Sequence, residues 1–335
     1  MVMKDYIKEF PNHISDALSI AKSISLNEIN NIQNIIILGQ GGSAIGGVIV
    51  KNLLKEEIRD IPIIINQDYT LPNFVNNKTL VIASSYSGNT EETLSTLQQA
   101  NNKNGKIFCI WSGGEMQNFA INNSIPYVII PSGRAPRAML CYSIIQILFV
   151  ICKINKSILS KYFNQLENNL LETRKYLISC QESIINISYK VASDIGNNMP
   201  FIYTYSNYEG VAIRFKQQLN ENAKKHACYN LIPEMNHNEI VPWIKKTSCV
   251  IPIFINPSNN QFDRNIKRMA LTIKSIKKNV KSIVELKLNN STYIQQYFYF
   301  LHLVDWISIR LAELDNVDPD NIELIDKLKK HLKKL

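Results

Sequence analysis

A loop rich in hydroxyl groups, residues 81–93 with the sequence VIASSYSGNTEET, carries side chains suited to bind an anion. Ser85, Ser87 and Thr90 lie between a short β-rich run and a helical pattern that opens with acidic residues. The first turn of a helix leaves backbone N–H groups without intrahelical partners and carries partial positive charge, so a phosphate group fits there. Neither lysine nor carboxylate occupies the loop before the helix, which predicts binding rather than catalysis. The alternative is an ordinary Ser- or Asn-capped helix.

A glycine-rich turn, GQGGSAIGG at residues 39–47, follows the buried strand pattern NIIIL. Its residues fit G-x-G-x-x-A, the fingerprint of a dinucleotide-binding turn, so a nicotinamide-dependent enzyme is a competing hypothesis. That fold requires an acidic residue at the end of the second strand, whereas this strand pattern ends in Asn66, with Asp68 two residues further. A dinucleotide enzyme also has no need of the second phosphate loop at Ser84. The remaining alternative is a tight turn that needs glycine only for close packing.

Two arginines follow the fifth predicted strand, in the sequence PSGRAPRAML. Pro136 suits the first turn of a helix, so Arg134 and Arg137 are expected near the edge of the sheet where ligands bind in parallel α/β folds. An arginine at that edge can stabilise an oxyanion that develops on a substrate. A solvated surface arginine is the alternative.

Groups able to move protons lie in the second half of the chain. Glu221 belongs to the helical pattern RFKQQLNENAKKHA, where it lies away from the centre of the apolar stripe. The segment PEMNHNEIVPW contains Glu234, His237 and Glu239, and His237 is the one histidine set among such polar neighbours. General acid–base chemistry by Glu and His is the functional interpretation, and a solvated glutamate is the alternative for Glu221. The segment lacks a zinc-site spacing such as HExxH, so we expect no metal.

Short apolar strand patterns alternate with helical patterns in both halves of the chain, which predicts parallel sheets covered by helices on both faces. The expected fold class is α/β, with two similar units in tandem. We predict domains at residues 1–153 and 196–335, joined by a helical region at residues 154–195. The predicted strands are residues 34–38, 61–66, 80–83, 106–111 and 127–131 in the first half and 200–206, 249–255 and 282–288 in the second.

The composition is that of a globular protein with room for two buried cores, with 335 residues, 45% of them hydrophobic and 19% charged. Much of the net charge of +9 comes from lysines near the C-terminus, which predict a solvated helix face rather than a nucleic-acid site. None of the six cysteines forms a CxxC pair, and no apolar signal core opens the chain. The longest apolar stretch, residues 138–152, is shorter than the ~20 residues of a membrane helix. We therefore expect a cytoplasmic protein without membrane or nucleic-acid partners.

GGSAIGG followed by SSYSGNTEET resembles the sugar isomerase (SIS) domain, whose members bind phosphorylated sugars. These two motifs, then GRAPRA, then LNENAK followed by PEMNHNE, closely resemble the bifunctional phosphoglucose/phosphomannose isomerase family of tandem SIS enzymes. The segment DWISIRLAELDNVDP is similar to the closing motif of that family. The resemblance spans about residues 34–334 and implies two tandem SIS domains, each an α-β-α sandwich around a parallel sheet.

The resemblance assigns the anion-binding residues to a sugar phosphate. Gly42 and Ser43 would approach the sugar, whereas Ser85, Ser87 and Thr90 would hold its phosphate group. The ligand is then expected to be an open-chain hexose 6-phosphate.

The resemblance also implies a reaction, the interconversion of glucose 6-phosphate, and of mannose 6-phosphate, with fructose 6-phosphate. Glu221 would carry a proton between C2 and C1 of the sugar, and the charge of the cis-enediolate intermediate would lie near Arg137. His237 would help to open the sugar ring and would reach the site from the neighbouring subunit, which implies an obligate homodimer with shared active sites. No metal or other cofactor is needed.

The C-terminal helix departs from the family pattern. Related isomerases carry on it a lysine for ring opening, for which Lys329 is the best candidate and Lys327 and Lys330 are alternatives. They also carry a hydroxyl-bearing residue linked to mannose 6-phosphate before this lysine, and no Ser or Thr follows Ser308 here. Two other classes stay open: an isomerase of an amino-sugar or heptose phosphate, and a non-catalytic sugar-phosphate-binding SIS protein.

Overall fold

The computed structural model describes residues 2–26, 29, 31–154, 156–258 and 262–332. The chain forms two compact units. The N-terminal unit is Glu9–Ile178, and the C-terminal unit combines Met1–Lys8 with Ser179–Leu335. Each unit is built on a parallel β-sheet flanked by helices, which confirms the predicted α/β fold.

Helices and strands are numbered in chain order within the described residues. The helices are α1 (Met3–Lys8), α2 (Phe10–Ser23), α3 (Gly41–Leu53), α4 (Glu91–Asn102), α5 (Glu115–Asn122), α6 (Leu140–Ile154), α7 (Lys156–Ile195), α8 (Glu209–Glu221), α9 (Asp263–Ile276), α10 (Tyr293–Leu314) and α11 (Glu323–Leu332). The strands are β1 (Asn34–Leu38), β2 (Ile63–Asn66), β3 (Thr79–Ser85), β4 (Lys106–Trp111), β5 (Tyr127–Ile129), β6 (Met199–Tyr205), β7 (Cys228–Ile232), β8 (Val250–Pro257) and β9 (Val284–Leu288).

The sheet of the N-terminal unit has the strand order β2-β1-β3-β4-β5. All of its pairings are parallel, with Leu38 at the end of β1 beside Ala83 of β3. The chain proceeds from β1 to one side of the sheet and from β3 to the other, so β1 and β3 flank the switch point of the topology. Ligands of open α/β sheets bind beyond the carboxyl ends of the strands at this point.

The sheet of the C-terminal unit has the strand order β7-β6-β8-β9, again with parallel pairings. In it β6 lies between β7 and β8, so α8, which connects β6 to β7, runs back along the sheet from its carboxyl edge to its amino edge. The two ends of α8 therefore lie at opposite edges of the sheet.

The core of the N-terminal unit follows from the apolar sequences of its central elements. All seven residues of β3 are buried, as expected for a parallel strand that is covered on both faces. The apolar stretch that forms α6 is long and apolar enough to cross a membrane by composition, but 94% of that window is buried inside the protein. It therefore serves as the buried core helix that the sequence predicts.

Strand positions agree with the sequence-based prediction to within two residues at each end, except for β7, which was not predicted. The helical pattern predicts that α8 continues to about Ala227, whereas the helix ends at Glu221. Lys224 adopts a left-handed φ of +52°, and the N–H of Lys225 donates to the carbonyl of Leu219 at 3.0 Å. Helices commonly end at a glycine in this left-handed conformation. Here a lysine adopts it, so the sequence carries no glycine that would mark the end of the helix.

The proposed domain boundaries remain predictions. The predicted connecting region at residues 154–195 corresponds largely to α7, a single helix of 40 residues. The boundary between the two compact units falls within this helix, after Ile178. Of the predicted C-terminal helix, Lys333 and Lys334 lie outside the described residues.

Candidate active site

The turn between β1 and α3 contacts two other segments of the N-terminal unit through its glycines. A Cβ at Gly39 would lie 2.9 Å from the carbonyl oxygen of Ser84, near the end of β3. A Cβ at Gly42 would lie 3.4 Å from the carbonyl oxygen of Pro136 and 3.7 Å from the Cα of Arg137. Larger residues would push these segments apart, so the glycines bring the β1 turn, the β3 end and the arginine segment together.

The hydroxyl-rich loop begins at the carboxyl end of β3. Ser85 is the last residue of the strand and is 1% exposed, and its Oγ lies 2.8 Å from Oγ1 of Thr90. Ser87 is exposed, and its Oγ accepts a hydrogen bond from the N–H of Asn89 at 3.2 Å. Thr90 stands at the N-cap of α4 but makes no side-chain capping bond. The hydroxyl groups and the first turn of α4 therefore lie around one loop, as an anion site requires.

The loop after β4 supports the hydroxyl-rich loop. Gly88 has a φ of +67°, and a Cβ on it would lie 1.7 Å from the carbonyl oxygen of Gly113. The N–H of Met116 donates to the carbonyl of Gly88 at 2.9 Å, and the N–H of Glu115 donates to Oδ1 of Asn89, also at 2.9 Å. Backbone contact thus fixes the shape of the hydroxyl-rich loop.

Tyr86 joins the three segments of this edge. Its N–H donates to Oγ of Ser43 at 3.3 Å, and its Oη accepts from the N–H of Arg134 at 3.0 Å. The sequence analysis did not single out Tyr86, because a tyrosine inside a serine-rich loop gives no signal of its own. Its position explains how the β1 turn, the hydroxyl-rich loop and the arginine segment keep one arrangement.

The arginine segment forms a 3₁₀ turn, Pro136–Met139, before α6. Arg137 is 4% exposed, whereas Nη1 of Arg134 lies 3.2 Å from Nε2 of His13. Burial, and then the charge of Arg134, lower the pKa of His13 to about 4, so a neutral imidazole faces the guanidinium. The structure thus brings the predicted residues Gly42, Ser43, Ser85, Ser87, Thr90 and Arg137 to one edge of the N-terminal sheet.

Glu221 is the last residue of α8 in the C-terminal unit and is partly buried. The helix is held against α10 by a buried ion pair, in which Nε and Nη2 of Arg214 donate to the two carboxylate oxygens of Asp305 at 2.9 and 2.8 Å. Both side chains are 3% exposed or less. A bidentate pair of this kind defines both the position and the rotation of a helix.

His237 lies in the segment that follows β7, directly after the 3₁₀ turn Glu234–Asn236, and it is exposed. The neighbouring carboxylates are engaged elsewhere. Glu239 accepts hydrogen bonds from Oη of Tyr203 at 2.7 Å and from Nδ2 of Asn230 at 2.6 Å, and Oε1 of Glu234 accepts from Nδ2 of Asn238 at 2.9 Å. Of the three proton-moving groups in this segment, His237 is the most suited to meet a ligand.

Glu221 and His237 lie at opposite edges of the C-terminal sheet. Just beyond α8, Nζ of Lys225 donates to the carbonyl of Gly196 at 2.5 Å, close to the amino end of β6. The β7 strand then runs toward the carboxyl edge, and His237 follows it. Five paired residues span ~15 Å at the usual rise of a strand. One copy of this unit therefore does not bring the two groups to a common point.

Lys329 lies in the last turn of α11, a helix without any buried residue. Nearby, Nζ of Lys327 forms an ion pair with Oε1 of Glu323 at 2.5 Å. The assignment of Lys329 to the same site as Glu221 and His237 stays a prediction. Across those residues, no group of three or more His, Cys, Asp or Glu side chains could hold a metal ion.

Comparison with known proteins finds matches in both halves of the chain. Residues 28–152 match the SIS domain, and residues 184–332 match the bacterial phospho-glucose isomerase C-terminal SIS domain. The chain is 36% identical over 341 residues to the bifunctional phosphoglucose/phosphomannose isomerase of Caldicellulosiruptor bescii, covering 98% of both chains. The chain belongs to the bifunctional phosphoglucose/phosphomannose isomerase family.

A second member of this family, from Thermoplasma volcanium, is 32% identical over 305 residues, which cover 91% of this chain and 93% of the relative. Among solved structures, the C-terminal domain of glucosamine-fructose-6-phosphate aminotransferase from Francisella tularensis superposes with a TM-score of 0.76 at 16% identity. That alignment covers 95% of this chain and 98% of the other. At such identity the structural likeness shows the shared fold alone.

Proposed function

We propose that this chain interconverts glucose 6-phosphate and mannose 6-phosphate with fructose 6-phosphate, acting as an aldose–ketose isomerase through a cis-enediolate. The observation that carries the proposal is the meeting of three segments at the switch point of the N-terminal sheet. These are the turn of Gly42 and Ser43, the loop of Ser85 and Thr90, and the 3₁₀ turn of Arg137. Membership of the isomerase family supports the same activity.

The loop after β3 binds the substrate phosphate in this proposal. Ser85, Ser87 and Thr90 supply hydroxyl donors, and the first turn of α4 supplies backbone N–H groups and the positive end of the helix dipole. Gly42 has no side chain and lets the sugar approach the backbone, with Ser43 beside it. Hydrogen bonds from the loop after β4 hold this loop in shape, so we expect little ordering entropy to oppose the capture of the ligand.

Glu221 is the base in the proposed reaction. Its carboxylate removes the proton from C2 of the open-chain aldose, electrons move to O1, and the cis-enediolate forms. The same group then returns the proton to C1 while the proton of the C2 hydroxyl moves to O1, so that the carbonyl forms at C2 and fructose 6-phosphate results. The guanidinium of Arg137 stabilises the negative charge of the intermediate, and the reaction balances without an added oxidant or reductant. Lys329 is proposed to assist ring opening.

His237 reaches the substrate from a second copy of the chain in this proposal, so the enzyme is a homodimer with shared sites. Two observations support it. Glu221 and His237 lie at opposite edges of their sheet, and large apolar side chains close to His237 in sequence are exposed: Val241 is 65% and Ile244 is 78% exposed. Apolar surface of this kind on one short segment suits a contact between subunits.

A mixing experiment tests the shared site. Glu221→Gln and His237→Ala are purified separately, mixed, dissociated and reassociated. If the site is shared, each hybrid dimer regains one intact site, so activity returns to about a quarter of the wild-type value, because half of randomly paired dimers are hybrids. If both groups act within one chain, hybrids contain no intact site and activity does not return.

The six cysteines are free thiols, which suits a reducing compartment. We propose a cytoplasmic location on that basis and on the basis of the small phosphorylated substrate. Fractionation of cells that express a tagged chain would test this, with activity recovered in the soluble fraction as the expected result.

A coupled assay of the purified protein with fructose 6-phosphate, with glucose 6-phosphate and mannose 6-phosphate measured separately, tests the activity. We expect turnover to both products and its loss in Glu221→Gln, whereas the matched control Glu234→Gln keeps it, because that carboxylate binds Asn238. Turnover to glucose 6-phosphate alone would contradict the proposed dual specificity. Turnover only of glucosamine 6-phosphate, or sugar-phosphate binding without turnover, would contradict the proposed reaction.

A further inference from the structure

The segment DWISIRLAELDNVDP contacts α8 and the turn that follows it at three points. Asp305 binds Arg214, as described above. One turn further along α10, Oγ of Ser308 accepts a hydrogen bond from Nδ2 of Asn222 at 2.9 Å and donates to the carbonyl of Asp305 at 2.7 Å. Beyond the end of α10, Oδ2 of Asp315 lies 3.2 Å from Nζ of Lys225. Positions further along α8 and its following turn contact positions further along α10 and its following turn. The two helices therefore run in the same direction and are joined by three polar contacts.

The middle contact is the one nearest to Glu221. Asn222 is the C-cap of α8 and directly follows Glu221, and both Asn222 and Ser308 are 0% exposed. The ion pair between Arg214 and Asp305 lies two helical turns earlier, ~10 Å along the axis at 1.5 Å per residue. Helix ends fray when they are not held, so the distant ion pair alone does not define the last turn, on which Glu221 stands.

We propose that Asn222 and Ser308 are positioning residues that hold the last turn of α8 and thereby aim the carboxylate of Glu221. The proposal rests on the proposed role of Glu221 as the base. The buried amide of Asn222 is tied to a hydroxyl that is itself tied to the backbone of α10, so the backbone at residue 221 follows α10 rather than fluctuating with the helix end. This pair of hydrogen bonds gives the segment DWISIRLAELDNVDP a role in catalysis that differs from phosphate binding and from proton transfer itself.

We call the hydrogen bond between Asn222 and Ser308 the clamp. It affects the reaction rate because proton transfer depends steeply on distance. A base must lie within hydrogen-bond reach of the proton it removes, and a displacement of about 1 Å by a mutation outside the reacting groups can lower the rate ~100-fold. The phosphate loop lies on other elements, so a misaimed Glu221 changes the rate of the chemical step more than it changes substrate binding.

The test compares Ser308→Ala and Asn222→Ala with a matched control. Both variants remove one end of the same hydrogen bond. Tyr208→Phe is the control, because it removes a buried hydrogen bond from Oη of Tyr208 to Oε1 of Gln296 on α10, at 3.2 Å, near the other end of α8. Ser308→Cys replaces the hydroxyl by a larger thiol that is only a weak hydrogen-bonding group, and it serves if the alanine variant does not fold. Each protein is assayed for kcat, KM and Tm, so that a change in the chemical step is separated from a change in binding or stability.

We expect Ser308→Ala and Asn222→Ala to lower kcat ~10- to 100-fold with KM changed less than ~3-fold. The double variant should be no worse than the more damaged single variant, because the two residues act through one contact. Tyr208→Phe should lower Tm while keeping kcat. Unchanged kcat in both single variants, or losses that multiply in the double variant, would overturn the proposal.

The Glu221→Gln variant, assayed in parallel, separates two kinds of failure. If Glu221→Gln is inactive and the clamp variants keep wild-type kcat, the clamp is wrong and the base assignment stands. If Glu221→Gln itself keeps activity, Glu221 is not the base, and the proposed positioning role of Asn222 and Ser308 is contradicted as well.

Discussion

Each of the two units is built on its own parallel sheet, but the proposed functional groups are held in position by different means. In the N-terminal unit, loops at the carboxyl ends of β1 and β3 are fixed by backbone contact, and glycines such as Gly39 and Gly88 allow the approach. In the C-terminal unit, Glu221 stands at the end of a helix that is fixed by side chains, above all Arg214 and Asp305. In the proposed site, the same architecture therefore supplies an anion-binding loop in one unit and an acid–base group on a helix end in the other.

This difference has a chemical reason. A phosphate keeps its charge and shape through the reaction, so a cradle of backbone N–H and hydroxyl groups needs only to match one geometry. A base has to meet a carbon-bound proton at a defined distance, and side-chain contacts can set the rotation of a helix finely. Substitutions in the hydroxyl-rich loop should therefore affect binding, whereas substitutions that loosen α8 should affect stability or rate.

The largest effect on stability is expected from Arg214→Leu, which leaves the carboxylate of Asp305 buried without its ion-pair partner. Loss of one member of a buried ion pair costs about 3–5 kcal/mol of unfolding free energy. Urea unfolding measures it, with Lys190→Ala as the control, because Lys190 pairs with Asp194 at 2.6 Å on an exposed surface and should change stability by less than ~1 kcal/mol. Equal losses in the two variants would contradict the central place of the buried pair.

A smaller effect, on binding, is expected from Gly88→Ala. The new Cβ would meet the carbonyl of Gly113, and the left-handed φ disfavours any side chain, at a cost of roughly 1–3 kcal/mol. The Kd for fructose 6-phosphate should rise by about tenfold or more, as measured by calorimetry. Gly196→Ala also has a left-handed φ, but its nearest contact is at 3.5 Å, so it should leave the Kd unchanged. A normal Kd in Gly88→Ala would show that the loop is not a rigid cradle.

Ser85→Ala should weaken binding by less than the glycine variant does. It removes one hydroxyl donor, worth about 1 kcal/mol, and so raises the KM for fructose 6-phosphate roughly fivefold. Steady-state kinetics measures this against Ser95→Ala on α4, where the serine hydroxyl donates to the carbonyl of Tyr69 instead. If the two variants have the same KM, the hydroxyl of Ser85 does not contact the substrate.

The smallest effect is a pH dependence of stability from His13. The pKa of His13 is about 4 in the folded chain, below its ordinary value of 6.5. Between these values the unfolded chain binds more protons, so the contribution of His13 to stability is full above pH 6.5 and is lost as the pH falls toward 4. His13→Gln should flatten the dependence of unfolding free energy on pH between 6.5 and 4. The exposed His226→Gln serves as a control, and an unchanged slope in His13→Gln would contradict the assignment.

Much of the fold is predictable from local pattern. Buried runs such as NIIIL give the strands, because a strand covered on both faces must be apolar throughout. The β7 strand escaped prediction, because its residues are only partly buried except for Ile232 and because the end of α8 has no glycine. Sequence patterns indicate burial and turn residues, and the region from the end of α8 to β7 has neither a fully apolar run nor a typical turn residue.

The candidate site was predictable where glycine and hydroxyl residues cluster in sequence, as in the loop of Ser85 and Thr90. The contact of Asn222 with Ser308 was not predictable, because it joins residues 86 positions apart and depends on how two helices pack. The support of Arg134 by His13, 121 positions away, escaped for the same reason. Contacts between distant residues need the fold itself.

The most direct test of the central claim, that Glu221 transfers a proton on a hexose 6-phosphate, is isotope exchange. Fructose 6-phosphate is incubated in D₂O with the wild-type protein and with Glu221→Gln, and deuterium at C1 is followed by NMR. We predict deuterium incorporation during wild-type turnover, because a carboxylate that holds the proton exchanges it with solvent, and loss of incorporation in the variant. Wild-type turnover without any deuterium incorporation, or undiminished incorporation in Glu221→Gln, would contradict the account.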